Sequence, residues 1–191
     1  MSDDDLYIGP TALEPGPRQP SRLADLMAKW VVVPLILLLV AIVLVFYVFF
    51  SSAVVDGESM VPTLHNGDYL LITHGSNSLH QGDIVVTSVL ENTGPIELVK
   101  RVIALPGDTI EIKDDVAWVN GTPEPARGQI VSPRFSVSRG PYVVPPGYVY
   151  VMGDNRPISE DSRYLGPVPL SGLKGRAVLV FAPVNRFKFV N

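Results

Sequence analysis

From Trp30 to Val55 the chain carries no charge, and this run is bounded by Lys29 and Asp56. Its most apolar part, VVVPLILLLVAIVLVFYVFF, is 20 residues long. As a helix that is about 30 Å, the thickness of the hydrocarbon core of a bilayer. A core helix of a soluble protein keeps a polar face, which this segment lacks. A cleaved export signal has an apolar region of only about 7–15 residues. We therefore expect a transmembrane helix over residues 30–52. Pro34 would sit in its first turn, where proline costs least, and Trp30, Tyr47, Phe49 and Phe50 would lie near its ends as interface aromatics.

The flanks orient the span. Arg18, Arg22 and Lys29 precede it, and the next basic residue after it is Lys100. The positive-inside bias then leaves residues 1–29 in the cytoplasm and residues 53–191 on the outer face of the membrane. The first of these segments, with Pro10, Pro15, Pro17 and Pro20 among small and acidic residues, has too little apolar surface for a core and reads as a disordered tail.

Beyond Ser51 the texture changes to short β-prone runs broken by Gly and Pro: residues 82–89, 97–105, 108–112, 116–120, 147–153 and 175–183. Asp114-Asp115 and Asn120-Gly121 are turn signals between such runs. Residues 122–146 read as loop with one strand. The outer domain is expected to be mostly β, a compact antiparallel barrel or pair of packed sheets.

Composition narrows the chemistry. There is no cysteine, which removes disulfides, thiolate catalysis and cysteine metal sites. His65, His74 and His80 show no ligand spacing, so neither metal nor cofactor is expected. From Ser51 onward, 14 acidic residues face 12 Lys or Arg, and no basic face suited to nucleic acid is evident.

Three segments carry candidate chemistry. In VVDGESMVPTLHNGDYL, Ser59 taken alone reads as a turn serine between Gly57 and Pro62, but its bend lies beside Val55, Met60 and Leu64 just outside the membrane. A serine nucleophile needs a nearby base. In ELVKRVIALPGD, strand alternation puts Lys100 on a face with Leu98, Val102 and Ala104 and sends Arg101 the other way. Burial there would lower the lysine pKa and make the amine a base; the competing reading is an edge lysine snorkelling to solvent. In VMGDNRPISEDSRYLGPV, Asp154, Arg156, Ser159, Asp161, Ser162 and Arg163 crowd ten residues. Local reasoning leaves open a polar surface loop or a scaffold for the amine.

Together the three resemble the type I signal peptidase family, whose proteases use a serine–lysine dyad. GESMVPTL is similar to its nucleophile box, LVKRVIALPGD to its lysine box and GDNRPISEDSRYLGPV to its signature loop, in the family's order. The resemblance implies a membrane-bound serine endopeptidase that removes signal peptides from exported preproteins. By it, Ser59 is the nucleophile and Lys100 the general base. Ser159 orients the amine, Asp161 and Arg163 form a supporting ion pair, and Gly153, Asp154 and Asn155 shape the same loop. Gly57 stands where some members carry a serine donor to the oxyanion, so a backbone group would take that part.

Family substrates have small residues at −1 and −3 from the cut, and Val55, Met60, Leu64, Leu98 and Val99 are the expected walls of the substrate site. The implied partners are preprotein signal peptides and the lipid bilayer, and the implied location is the inner (cytoplasmic) membrane with the catalytic domain on its outer face. Only 52 residues separate Lys100 from Gly153, so any accessory β domain is confined to residues 113–146. Two rival readings remain: a specialised relative that matures one substrate, such as a pilin, and a non-catalytic membrane-tethered β domain that binds signal helices.

Overall fold

The structure, a computed structural model, describes residues 22–75, 79–91, 94–132 and 137–190. The expected tail lies outside them as far as residue 21. The chain divides into two units, residues 1–45 and 46–191.

The first unit is helical through its described length. Helix α1 (Arg22–Met27) passes through a π-helical turn (Ala28–Val32) into α2 (Val33–Phe49), which runs on to the start of the second unit. The span Asp25–Phe49 reaches a mean hydropathy of 3.3 with none of it buried, which makes it long and apolar enough to cross a membrane. Both ends differ from the expected 30–52. Because the helix begins upstream, Pro34 lies inside it and not in its first turn. In a regular α-helix its ring would crowd the carbonyl four residues back, and a π-helical turn, Ala28–Val32, lies just before it. At the other end, residues 50–52 are not helical. Phe50–Val54 forms strand β1, antiparallel to β2 (Tyr69–Thr73), with Phe50 opposite Thr73 and Val54 opposite Tyr69. A partner strand distant in sequence gives these backbone groups their hydrogen bonds.

The second unit is mostly β and antiparallel throughout its named strands. Its larger sheet takes the order β1-β2-β11-β3-β4-β9-β10, with β12 (Lys188–Phe189) paired to β11 (Leu173–Ala182). The remaining members are β3 (Ile84–Glu91), β4 (Gly94–Ala104), β9 (Tyr148–Met152) and β10 (Val168–Pro169). A four-stranded sheet follows the order β7-β6-β5-β8, from Thr122–Pro123, Val116–Val119, Thr109–Lys113 and Arg139–Val143. Packed sheets, not a closed barrel, are thus the form adopted. The turn signals sit where expected: Asp114, Asp115, Asn120 and Gly121 all have positive φ and close the β5–β6 and β6–β7 connections.

Alternation on β3 sorts the core. Ile84 and Val86 face a cluster with Val55, Met60, Leu64, Leu70, Ile72 and Val180. Val85 faces the opposite way, toward Val102, Val149 and Val151. A third cluster joins the two sheets through Ile110, Ile112, Ala117, Tyr150 and Met152. On β4 the alternation breaks. A register shift between Val102 and Ala104 leaves Ile103 without a partner on β9, and Ile103 and Ala104 both join the inter-sheet cluster. Ala104 therefore does not share a core face with Val102, as uninterrupted alternation would require.

Candidate active site

The segment from Val55 to Asp68 leaves β1, turns, and returns to β2. Its side chains Val55, Met60 and Leu64 are core members. Its backbone is closed on itself: Val55 N donates to Asp68 O at 2.8 Å, Gly67 N to Val55 O at 2.9 Å and Leu64 N to Met60 O at 2.9 Å. Gly57, at φ +87°, occupies a conformation that favours glycine, and its N–H donates to Asn66 Oδ1. Ser59 is left half-exposed at the top of this bend.

Facing it from the middle of β4 is Lys100, only 3% exposed, whose Nζ donates to Ser59 Oγ at 2.7 Å. Burial lowers the pKa of this amine from the ordinary 10.5. Asp161 and Glu160 pull upward, Arg163 adds to the lowering, and the net direction is down. A buried amine touching a serine hydroxyl can, once it has lost its own proton, accept the hydroxyl proton and so make the oxygen nucleophilic. Tyr150 nearby is no competitor as a base, since burial, then Asp161, pushes its phenol up to about 12.

The loop after β9 closes the site from the other side. Asn155 N donates to Ser59 O at 2.9 Å and its Nδ2 to Glu58 O at 3.2 Å, tying the loop to the serine backbone. Gly153 is needed for this closeness, because a Cβ there would lie 2.2 Å from Ser159 Oγ and 2.5 Å from Ser59 O. Asp161 caps the short helix α3 (Ser162–Leu165) and accepts from Gly153 N at 3.0 Å and from Arg163 Nε at 2.9 Å.

The sequence profile of the family described as signal peptidase, peptidase S26, matches residues 27–182. The chain belongs to the signal peptidase family. Signal peptidase I T of Bacillus subtilis (strain 168) is 37% identical over 151 residues, covering 73% of this chain and 77% of that one. Signal peptidase I of Bacillus licheniformis is 34% identical over 172 residues, covering 84% and 91%. A solved signal peptidase I from Enterococcus faecalis V583 is 28% identical with a TM-score of 0.44, covering 53% of this chain and 98% of that one. Membership makes this protein a serine endopeptidase, a hydrolase that removes signal peptides, of a membrane-anchored family.

Within this signal peptidase the structure redistributes several expected contacts. Ser159 is buried, but its Oγ has no hydrogen-bond partner among the described residues, so the bond to the amine implied by the resemblance is not made. Val55, Met60 and Leu64, expected as walls of the substrate site, are instead buried in the apolar core, where packing with β2 and β3 residues takes up their side chains. Leu98 lies on the Lys100 side of β4, whereas Val99 points the other way and packs against that core.

Of the three buried arginines around the peptidase site, Arg163 makes the expected pair with Asp161, and all three have a carboxylate partner that local reading did not supply. Arg101 makes a two-pronged pair with Asp154 at 2.8 and 2.7 Å, and its Nη2 also donates to Thr63 Oγ1 at 3.2 Å. Arg156 pairs with Glu124 at 2.6 and 2.7 Å. Arg163 joins Asp161 to Asp115, at 2.6 Å to the latter. The available signal was physical: an arginine in an apolar strand next to a buried lysine demands a carboxylate partner. Which carboxylate answers depends on tertiary pairing.

Proposed function

We propose that Ser59 is the acylated nucleophile and Lys100 the general base and acid of this peptidase, acting on exported preproteins with small residues before the cut. The observation that carries the reading is the 2.7 Å contact from a buried Lys100 Nζ to Ser59 Oγ. The neutral amine takes the Ser59 proton as Oγ attacks the scissile carbonyl, and the resulting ammonium then protonates the leaving amine. A water entering the vacated side gives its proton to Lys100 and opens the acyl-enzyme. The Ser59 backbone N–H is assigned to the oxyanion, where one lost donor costs about 10²–10³ in rate. Ser159, uncommitted and close to Gly153 on the side that also faces the Ser59 carbonyl, is assigned to steady the amine once it has taken up the proton.

Preference for small residues fits a segment whose Met60 and Leu64 are already fully packed in the core and so cannot give way to a large substrate side chain. The basic residues before the span favour a domain on the outer face of the membrane, where exported chains emerge.

The test is cleavage of a purified precursor with alanine at −1 and −3 by the full-length protein in detergent. Ser59→Ala and Lys100→Ala should each lower kcat/KM by about 10⁴-fold or more, and the double variant should be scarcely worse than either. Substantial turnover by either single variant overturns the assignment. In wild type, activity should rise with pH and its acid limb should fall below 10.5, because the active form is the deprotonated amine and burial lowers its pKa. A panel of precursors then separates a general peptidase from one dedicated to a single substrate.

A further inference from the structure

Asp115 is in the wrong place for a residue that merely closes a hairpin. It is the second residue of the β5–β6 turn, at φ +65°, a conformation glycine adopts without strain. It is also fully buried, at 0% exposure, and its Oδ2 has no hydrogen-bond partner among the described residues. Both features cost free energy, and the turn itself repays neither.

The contacts Asp115 does make lead toward the catalytic loop. Its Oδ1 accepts from Arg163 Nη1 at 2.6 Å, its main-chain oxygen accepts from Arg156 Nη1, and its Oδ1 also accepts from Val137 N at 3.1 Å. Arg163 in turn grips Asp161, and its Nη2 donates to the main-chain oxygens of Arg156 and Ser159 at 2.7 and 3.2 Å. Burial works against the guanidinium charge, but Asp161 and then Asp115 outweigh it and keep the pKa of Arg163 above its ordinary value. A permanently charged arginine therefore stands between a carboxylate of the small sheet and the loop that faces the lysine.

We infer that Asp115 is a positioning residue for the Ser59–Lys100 dyad, a carboxylate supplied by the second sheet that anchors Arg163 and offsets its positive field at the amine. This inference rests on the dyad reading above and deepens it. The charged groups that bear on Lys100 are Asp161 and Glu160, which favour its protonated form, and Arg163, which opposes it. Removing the Asp115 charge leaves the arginine less compensated, and this effect, relayed through Arg163, makes the amine easier to deprotonate. A loop that merely loosened would admit water to Lys100 and move it the opposite way, toward an ordinary lysine.

The sign of the shift therefore tests the inference. Full-length Asp115→Asn, nearly isosteric and tolerant of positive φ, and Asp115→Gly, the residue this turn most readily accepts, are assayed for kcat/KM across pH with the same precursor. Asp114→Asn, at the exposed neighbour in the same turn, serves as control. Both Asp115 variants should move the acid limb to lower pH by about 0.5 unit and reduce the plateau several-fold, as a weaker base does. The control should leave the limb in place. An unmoved limb, or one displaced to higher pH, overturns the inference. So does unfolding of Asp115→Gly, since the carboxylate would then be holding the sheet and not tuning the amine. If wild type itself lacks a limb below the ordinary lysine range, the dyad reading has failed instead.

Discussion

Ser59 rides on a segment whose side chains sink into an apolar cluster and whose turns are closed by its own main chain. Lys100 faces a buried ionic group, Arg163 with Asp161 and Asp115, while the Arg101–Asp154 pair bonds Thr63 at the edge of the Ser59 segment. The two mountings respond to damage differently. Apolar contacts are many, weak and without direction, so neighbours partly fill a lost one. A buried ion pair is directional, and removing one member strands the other charge in a medium that cannot solvate it. The Ser59 side should therefore tolerate changes of shape, and the ion pairs beside Lys100 should tolerate almost no loss of one partner's charge.

A large effect should come from the ionic side. Asp161→Ala leaves Arg163 with Asp115 as its one remaining carboxylate among the described residues and Gly153 N without its acceptor, and the loss should be about 3 kcal/mol in urea unfolding; a loss under 1 kcal/mol would erase the contrast. Leu64→Ala on the other side should cost about 3 kcal/mol, whereas Leu64→Met, which keeps volume, should cost less than about 1.5. Equal losses for the two Leu64 variants would mean that the apolar mounting is as exacting as the ionic one.

Gly153→Ala probes the seam. Its new Cβ would meet Ser59 O and Ser159 Oγ, and displacement of the serine should lower kcat about 10²-fold with little change in melting temperature.

Lys100→Met should work in the opposite direction on stability. The folded-state pKa lies below the unfolded one, so the lysine destabilises fully at pH below the folded value, less as pH rises through the window between the two, and not at all above 10.5. Each unit of depression is worth about 1.4 kcal/mol. The methionine variant should thus be more stable than wild type at pH 7, with the gain vanishing in alkali. The smallest effect belongs to the exposed pair Lys174–Glu97, where Glu97→Gln should change stability by less than about 1 kcal/mol.

What was legible in the sequence follows the range of the interactions. The strands over 82–89, 97–105, 108–112, 116–120, 147–153 and 175–183 reappear with ends shifted by a few residues, and both turn pairs close hairpin connections, because alternation and positive-φ preferences act over a handful of residues. The proximity of Ser59 and Lys100 followed from the motifs, not from local physics. Three features escaped because distant partners decide them. Helix α2 gives way at Phe50 because β2 claims β1; Ala104 changes face because β9 imposes a bulge; and Asp115 looked like a turn residue because Arg163, 48 positions later, is what gives it meaning.

The hydrogen bond from Asn155 N to Ser59 O has a consequence for the birth of the enzyme. The serine lies near the start of the domain, its lysine follows 41 positions later, and the loop that clasps its carbonyl comes later still. Contacts this far apart along the chain form late. A nascent polypeptide that has delivered only Ser59 and Lys100 lacks the loop that holds the Ser59 carbonyl. Proteolytic competence therefore arrives with the last quarter of the chain, and a stalled or truncated product should be inert toward the secretory traffic around it.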